Sequence, residues 1–119
     1  MLSMSKRGDF ECIADIQEAV RRIENYTKDV GYKEFLKNIK TQDAVVRNLE
    51  IIGEVAKNIS ADFRGKYKNI DWKKIAGMRD KLVHHYFGVN LDILWSAVKE
   101  KLPELKGEIE RLLPEITKK

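Results

Sequence analysis

Cysteine and proline are scarce in this chain, and each scarcity excludes a class of structure. The single cysteine among 119 residues, Cys12, excludes an internal disulfide and a cysteine-based zinc site. Its apolar neighbours Phe10 and Ile13 indicate a small buried residue rather than a reactive thiol. The two prolines, Pro103 and Pro114, both lie late in the sequence, so most of the chain has no helix breaker.

Long hydrophobic runs are also missing. No apolar stretch is long enough to cross a membrane, and the N-terminus lacks the hydrophobic region of a signal peptide. We therefore expect a cytoplasmic protein without membrane contact. Because the length suits one domain, we expect a flexible N-terminus over residues 1–7 and a single helical domain over residues 8–119.

The charge is positive but not concentrated in one block. Hydrophobic residues make up 43% of the chain and charged residues 35%, which is typical of a soluble helical domain. The net charge of +4 permits a nucleic-acid partner, because positive charge attracts phosphate whatever the base sequence. Lysine and arginine alternate with acidic residues at helical spacings, which usually indicates a solvated face.

Apolar residues recur at steps of three and four in the first half of the chain, which predicts amphipathic helices. The first helix is expected from Asp9 to about Asp29, and a short helical piece over residues 32–39. Thr41 is expected to cap a central helix, and residues 60–69 to form a loop. The central helix has this apolar stripe: Val45, Leu49, Ile52, Ala56 and Ile59.

The second half of the chain continues the helical pattern. Asp71 can cap a helix from residue 72 to about residue 87, and Asn90 can cap the next. Pro103 can lie in the first turn of a separate final helix. No segment alternates with period two, so we predict an all-α, antiparallel, up-and-down bundle of four to five main helices.

Arginine, histidine and tyrosine crowd the end of the helix that starts at residue 72. At 3.6 residues per turn, Arg79 falls within an apolar stripe, where an unpaired charge is costly. A buried ion pair with Glu50 or Glu54 explains it, and so does a wet cleft that holds an anion. For the arginine alone, the ion pair is the better explanation. The stripe comprises Trp72, Ile75, Arg79, Leu82 and Tyr86.

A second face of the same helix carries a candidate acid–base group. Asp80 and His84 are four residues apart, so the carboxylate can orient the imidazole and raise its pKa. Gly77, one turn earlier, lets a ligand or another backbone come close. The competing interpretation is an exposed Asp–His pair of little value beside a packing glycine.

The spacing creates a geometric difficulty. Arg79 and His84 lie about 140° apart on a straight helix, so they cannot both face one phosphate. Either the helix distorts near His84 or two chains share the site, which favours a homodimer. His85 points about 100° away from its neighbour and is the weaker candidate. Tyr86 can be a half-buried aromatic, a phosphate contact or the acceptor of a covalent modification.

The pattern Arg79-x4-His84-x-Tyr86 resembles the R-x4-H-x-Y motif of the HepT-like toxins in the HEPN superfamily. Residues 71–80 also resemble the family's run into its motif, residues 47–56 its central helix, and residues 10–26 its first helix. The resemblance covers nearly the whole chain, from about residue 8 to about residue 113. Three matching segments in the right order make it more specific than the motif alone.

The resemblance implies a small all-α homodimer with the motif at a cleft between protomers. It implies the toxin of a toxin–antitoxin pair, a ribonuclease that cleaves RNA, such as tRNA or mRNA, without metal or other cofactor. Arg79, Asp80 and His84 would be catalytic, with Asp80 in the polar position that follows the motif arginine. The antitoxin partner resembles a minimal nucleotidyltransferase and would silence the toxin by adding AMP to Tyr86.

Three alternatives remain open. Some relatives in such families have little nuclease activity, so the chain could be an inactive dimeric partner of a nucleotidyltransferase. It could also be a structural helical dimer in which Arg79 only forms an ion pair. Glu50 and Glu54 could bind Mg²⁺ in a nucleotide pyrophosphohydrolase, but the sequence lacks a convincing second carboxylate cluster.

Overall fold

The computed structural model of the chain describes residues 8–84 and 90–117, and for residues 79–84 it describes the backbone alone. Every regular element in these ranges is a helix, which confirms the predicted all-α class. Four long helical runs form the bundle, and two short helices lie in the connections. The elements are α1 (Asp9–Thr27), α2 (Tyr32–Lys37), α3 (Ile39–Lys57), α4 (Ala61–Lys66), α5 (Trp72–His84), α6 (Leu91–Ser96), a π-helical segment (Ala97–Lys101) and α7 (Leu102–Thr117).

Helix α3 is the central helix of the bundle, as its wide apolar surface predicts. It packs against α1 on one side and α5 on the other, whereas α7 packs against α1. The predicted α3 stripe is buried, and so is Cys12 on α1. The apolar steps of three and four predict a stripe on α1 that runs from Phe10 to Tyr26. Both of these end residues are exposed, so the two ends of the stripe differ from the prediction. The core thus lies along the middle turns of α1 and α3.

The predicted start of α3 is wrong by three residues. Asn38, not Thr41, is the N-cap: its side-chain oxygen accepts a hydrogen bond from the Thr41 backbone N–H at 3.0 Å. Asparagine is the stronger capping residue, and its amide reaches the unsatisfied N–H three positions later. The helix therefore begins at Ile39 and carries Lys40 in its first turn.

The predicted loop over residues 60–69 is also partly wrong, because its middle forms α4. Ser60 caps this helix by accepting the Phe63 backbone N–H at 3.1 Å. The Ser60 hydroxyl and backbone N–H both donate to the Asp9 carboxylate, at 2.7 and 2.8 Å. This link fastens the start of α1 to the start of α4. The Ser60 cap favours a helix here more strongly than Gly65 and the alternating charges of residues 60–69 favour a loop.

Pro103 lies in the first turn of α7, as predicted, but α7 is not a separate helix. Residues 91–117 form one uninterrupted helical run, and the π-helical turn lies immediately before the proline. The Leu102 N–H donates to the Ala97 carbonyl, five residues back. Proline lacks an N–H and its ring crowds the carbonyl four residues earlier, so a widened turn accommodates it without ending the helix. In the part of the chain described, no helix is long and apolar enough to span a membrane.

Candidate functional site

Helix α5 carries the Arg79, Asp80 and His84 positions, and its first turn is firmly fixed. Asp71 is the N-cap, as predicted: its carboxylate accepts the Lys74 backbone N–H at 3.0 Å. Trp72 and Ile75 are buried, and the Trp72 indole N–H donates to the Tyr67 carbonyl at 3.0 Å. The start of the predicted apolar stripe thus faces the core, which sets the rotation of the whole helix.

The backbone is α-helical from Trp72 to His84, so three of the four predicted site positions lie on one continuous helix. The Arg79 position continues the core-facing stripe, two turns beyond Trp72. The His84 position lies two turns beyond Gly77, with the Asp80 position on the same side. Tyr86, the predicted modification site, lies outside the described residues, as does His85.

A groove runs beside α5, between this helix and the long C-terminal helical run. It encloses about 620 Å³, and Leu49 of α3 forms part of its floor. Ile75 and Met78 contribute from α5, and the exposed side chain of Ile93 contributes from α6. The bundle is therefore open along the side of α5 that leads to the His84 position.

Gly77 lines this groove and does not serve packing within the described chain. A Cβ atom built at Gly77 would meet no heavy atom within 4 Å. Of the two interpretations of this glycine, the packing role receives no support here. The open space fits a glycine that leaves room for a ligand or a second chain.

The end of the groove beside the start of α5 is mainly acidic. Glu104, Glu108 and Asp71 line it together with Lys74. Burial, followed by the nearby Glu104 carboxylate, raises the pKa of Glu108. Negative charge at this end of the groove repels polyanions.

The acidic pair on α3 lies on the outer side of that helix. Glu50 is half-buried and Glu54 is exposed. Among the side chains of residues 8–78 and 90–117, no group of three or more histidine, cysteine or acidic residues is arranged to hold a metal ion. The pyrophosphohydrolase alternative therefore gains no second ligand cluster from the described residues.

Comparison with known proteins agrees with the family resemblance and with the all-α fold. The family described as Ribonuclease HepT-like matches residues 16–112. "Probable ribonuclease HepT" of Thermococcus cleftensis is 49% identical over 90% of this chain and 97% of its own length. "Putative RNase MJ0127" of Methanocaldococcus jannaschii is 45% identical over 95% of this chain and 93% of its own length.

No solved structure shows significant similarity to the chain. The family match nevertheless covers all four long helical runs, including α5 and the motif that it carries. The relatives align over nearly their whole length, so the likeness is not confined to one shared segment. The chain belongs to the HepT-like ribonuclease family.

Proposed function

We propose that the chain is the toxin of a toxin–antitoxin pair, a metal-independent endoribonuclease whose active site is Arg79, Asp80 and His84. The observation that carries the proposal is the placement of Arg79-x4-His84 on one continuous helix beside an open groove, in a chain of this family. Family membership supports the coarser statement, a ribonuclease. The finer statements rest on the residues of the motif.

The proposed reaction needs only proton transfer and charge stabilisation. One His84 imidazole removes the proton of a ribose 2′-hydroxyl, and the oxygen attacks the adjacent phosphorus. The bond from phosphorus to the 5′-oxygen breaks, and a second His84 imidazolium returns a proton to that oxygen. The products are a 2′,3′-cyclic phosphate and a 5′-hydroxyl. Arg79 stabilises the charge on the phosphorane, and Asp80 orients His84.

The helix geometry supports a site that two chains share. Because α5 is helical through His84, the Arg79 and His84 positions stay about 140° apart within one chain. Two copies related by a two-fold axis can place an arginine from one and a histidine from the other at one phosphate. The groove beside α5, with Gly77 and exposed Ile93, leaves room for a second chain.

A shared site predicts that one defective subunit inactivates its partner. In dimers refolded from equal amounts of wild-type and His84→Ala chains, about a quarter of the dimers carry two intact histidines. We expect cleavage near that quarter of the wild-type rate, measured with labelled RNA. Half of the wild-type rate would mean that each active site needs only one His84, and it would contradict the use of two histidines at one phosphate. Native mass spectrometry gives the proportions of the mixed dimers.

Tyr86 is the proposed site at which the nucleotidyltransferase partner silences the toxin. AMP on the tyrosine would place bulk and negative charge beside the motif and exclude RNA. Tyr86→Phe is expected to remain unmodified on co-expression with the partner and to keep its cleavage activity, whereas the wild-type chain is silenced. Intact mass and RNA cleavage are measured together, with Tyr26→Phe, at an exposed tyrosine on α1, as the control that stays modifiable. Silencing of Tyr86→Phe with added AMP mass would exclude Tyr86 as the acceptor.

A direct assay separates the nuclease from the inactive-partner alternative. The unmodified protein is incubated in EDTA with labelled total RNA and with labelled tRNA. We expect cleavage of at least one of them. No cleavage, with an intact mass that shows unmodified Tyr86, would favour a dimeric binding partner of the nucleotidyltransferase.

A further inference from the structure

Helix α2 is short, yet several contacts hold it firmly against the bundle. Phe35 is wholly buried, with its ring 5.0 Å from the ring of Trp95. The Gln42 side-chain amide donates to the Phe35 carbonyl at 2.8 Å, and the Tyr32 hydroxyl donates to the Asp92 carboxylate. These contacts join α2 to both α3 and α6. Helix α2 is therefore fixed against the bundle and is not a mobile connection.

The outer side of α2 is mainly basic and partly apolar. At 100° per residue, Lys33 and Lys37 lie opposite the buried Phe35, so both point away from the core. Lys40 follows in the first turn of α3. In the described part of the chain, none of these three lysines has a carboxylate within 4 Å. The α2 surface is defined as Tyr32, Lys33, Leu36, Lys37, Ile39 and Lys40, all exposed. Glu34, also exposed on α2, lies one turn from Lys37, so the three lysines and this glutamate together carry a net charge of +2.

The N-terminus of α3 strengthens the positive potential at this surface. Helix α3 has 19 residues and no acidic residue in its first turn. The partial positive charge of its N-terminus is thus left unopposed, and Lys40 adds a full charge at the same place. A cation at that position is unfavourable for the isolated helix. It becomes favourable when an anion binds there.

The chain topology places the α2 surface at the end of the bundle where the motif helix ends. Helix α5 runs towards His84, and α6 starts at Leu91 after the Asn90 cap, which accepts the Asp92 and Ile93 N–H groups. Asp92 is the residue that the Tyr32 hydroxyl contacts. The α2 surface therefore lies beside the point at which the chain returns from the motif.

We propose that the α2 surface binds single-stranded RNA outside the catalytic cleft, along the strand that leaves the motif. The inference rests on the proposed function, since a ribonuclease supplies RNA as the ligand. Lys33, Lys37 and Lys40 neutralise successive phosphates. The Tyr32 ring, 39% exposed, offers a face for base stacking, and Ile39, 69% exposed, offers apolar contact. Site and surface together hold a longer strand than the cleft alone.

The test measures binding of a 2′-O-methyl oligoribonucleotide, which has no 2′-hydroxyl and cannot be cleaved. Lys33→Gln, Lys37→Gln and Lys40→Gln are combined in the full chain. We expect roughly tenfold weaker binding and a salt slope smaller by about 2, since each lost single-strand phosphate contact removes about 0.7. The matched control combines Lys66→Gln, Lys68→Gln and Lys73→Gln, exposed lysines at the opposite end of the bundle. The control has the same net charge as the α2 variant and is expected to bind nearly as well as the wild type.

Each outcome decides the proposal. Equal losses in the two triple variants would mean attraction by net charge alone and would overturn it. An unchanged affinity in the α2 variant would also overturn it, and loss of binding to the nucleotidyltransferase in that variant would assign the surface to the protein partner. The oligonucleotide cannot be cut, so its binding is measured independently of cleavage. If the wild type binds it through the α2 lysines but does not cleave ordinary RNA, the α2 surface is retained and the nuclease proposal is rejected.

Discussion

Replacing His84 with alanine is expected to abolish RNA cleavage while the proposed dimer stays intact. A positioned general acid or base contributes on the order of 10² to 10⁴ in rate, and the proposed mechanism uses His84 in both roles. The position lies on α5 beyond the turns that Trp72 and Ile75 anchor in the core. Alanine there keeps good helix propensity, so the fold should not change. Cleavage of labelled tRNA and sedimentation of the variant measure the two effects.

The neighbouring histidine provides a matched control. His85→Ala removes the same group one position later, where the sequence-based prediction of a continued helix turns it about 100° away. We expect this variant to retain most of the activity. Undiminished cleavage by His84→Ala, in a preparation free of contaminating nuclease, would refute the role of His84. Loss of activity in His85→Ala alone would move the assignment to that residue.

Replacing Arg79 with lysine is expected to lower the cleavage rate by on the order of 10², with little change in thermal stability. Lysine keeps the charge but not the planar, two-pronged donor that matches two phosphate oxygens. Loss of one such transition-state contact typically has an effect of this size. The rate is measured at saturating RNA, and the unfolding midpoint is measured by circular dichroism.

The same variant tests the structural alternative for Arg79. If the residue only forms an ion pair, lysine should change stability more than cleavage. Arg21→Lys is the matched control, because Arg21 forms an exposed ion pair with Glu18 at 2.7 Å. Exposed pairs of this kind contribute little to stability, so we expect neither activity nor stability to change much. A large stability loss in Arg79→Lys with full activity would contradict the catalytic role.

The helical pattern was sufficient to predict the architecture, because the apolar stripes of α1 and α3 have one consistent period. The caps at Asp71 and Asn90 were also predictable, since each is a strong capping residue directly before a helix. The start of α3 was not, because Asn38 and Thr41 compete and only the backbone shows which side chain reaches an N–H. A choice between two nearby caps depends on local geometry that spacing does not contain.

Features that depend on contacts between distant segments could not be predicted. The link from Ser60 to Asp9 joins residues 51 positions apart, and the link from Tyr32 to Asp92 joins residues 60 positions apart. The π-helical turn before Pro103 is a response of an otherwise continuous helix to one proline. The groove beside α5 depends on how two helices diverge, which no single periodicity reveals. These packing features do not test the predicted site residues, which remain predictions.

The most direct measurement is the chemistry of the RNA ends that the unmodified protein makes in EDTA. We predict fragments with a 2′,3′-cyclic phosphate and a 5′-hydroxyl, read by end-labelling with and without prior phosphatase treatment. An RNA with 2′-deoxy substitution at the cut site should resist cleavage, because the attacking hydroxyl is gone. Fragments with a 5′-phosphate, or cleavage that requires a divalent metal, would contradict a metal-independent attack by the 2′-hydroxyl at the α5 motif.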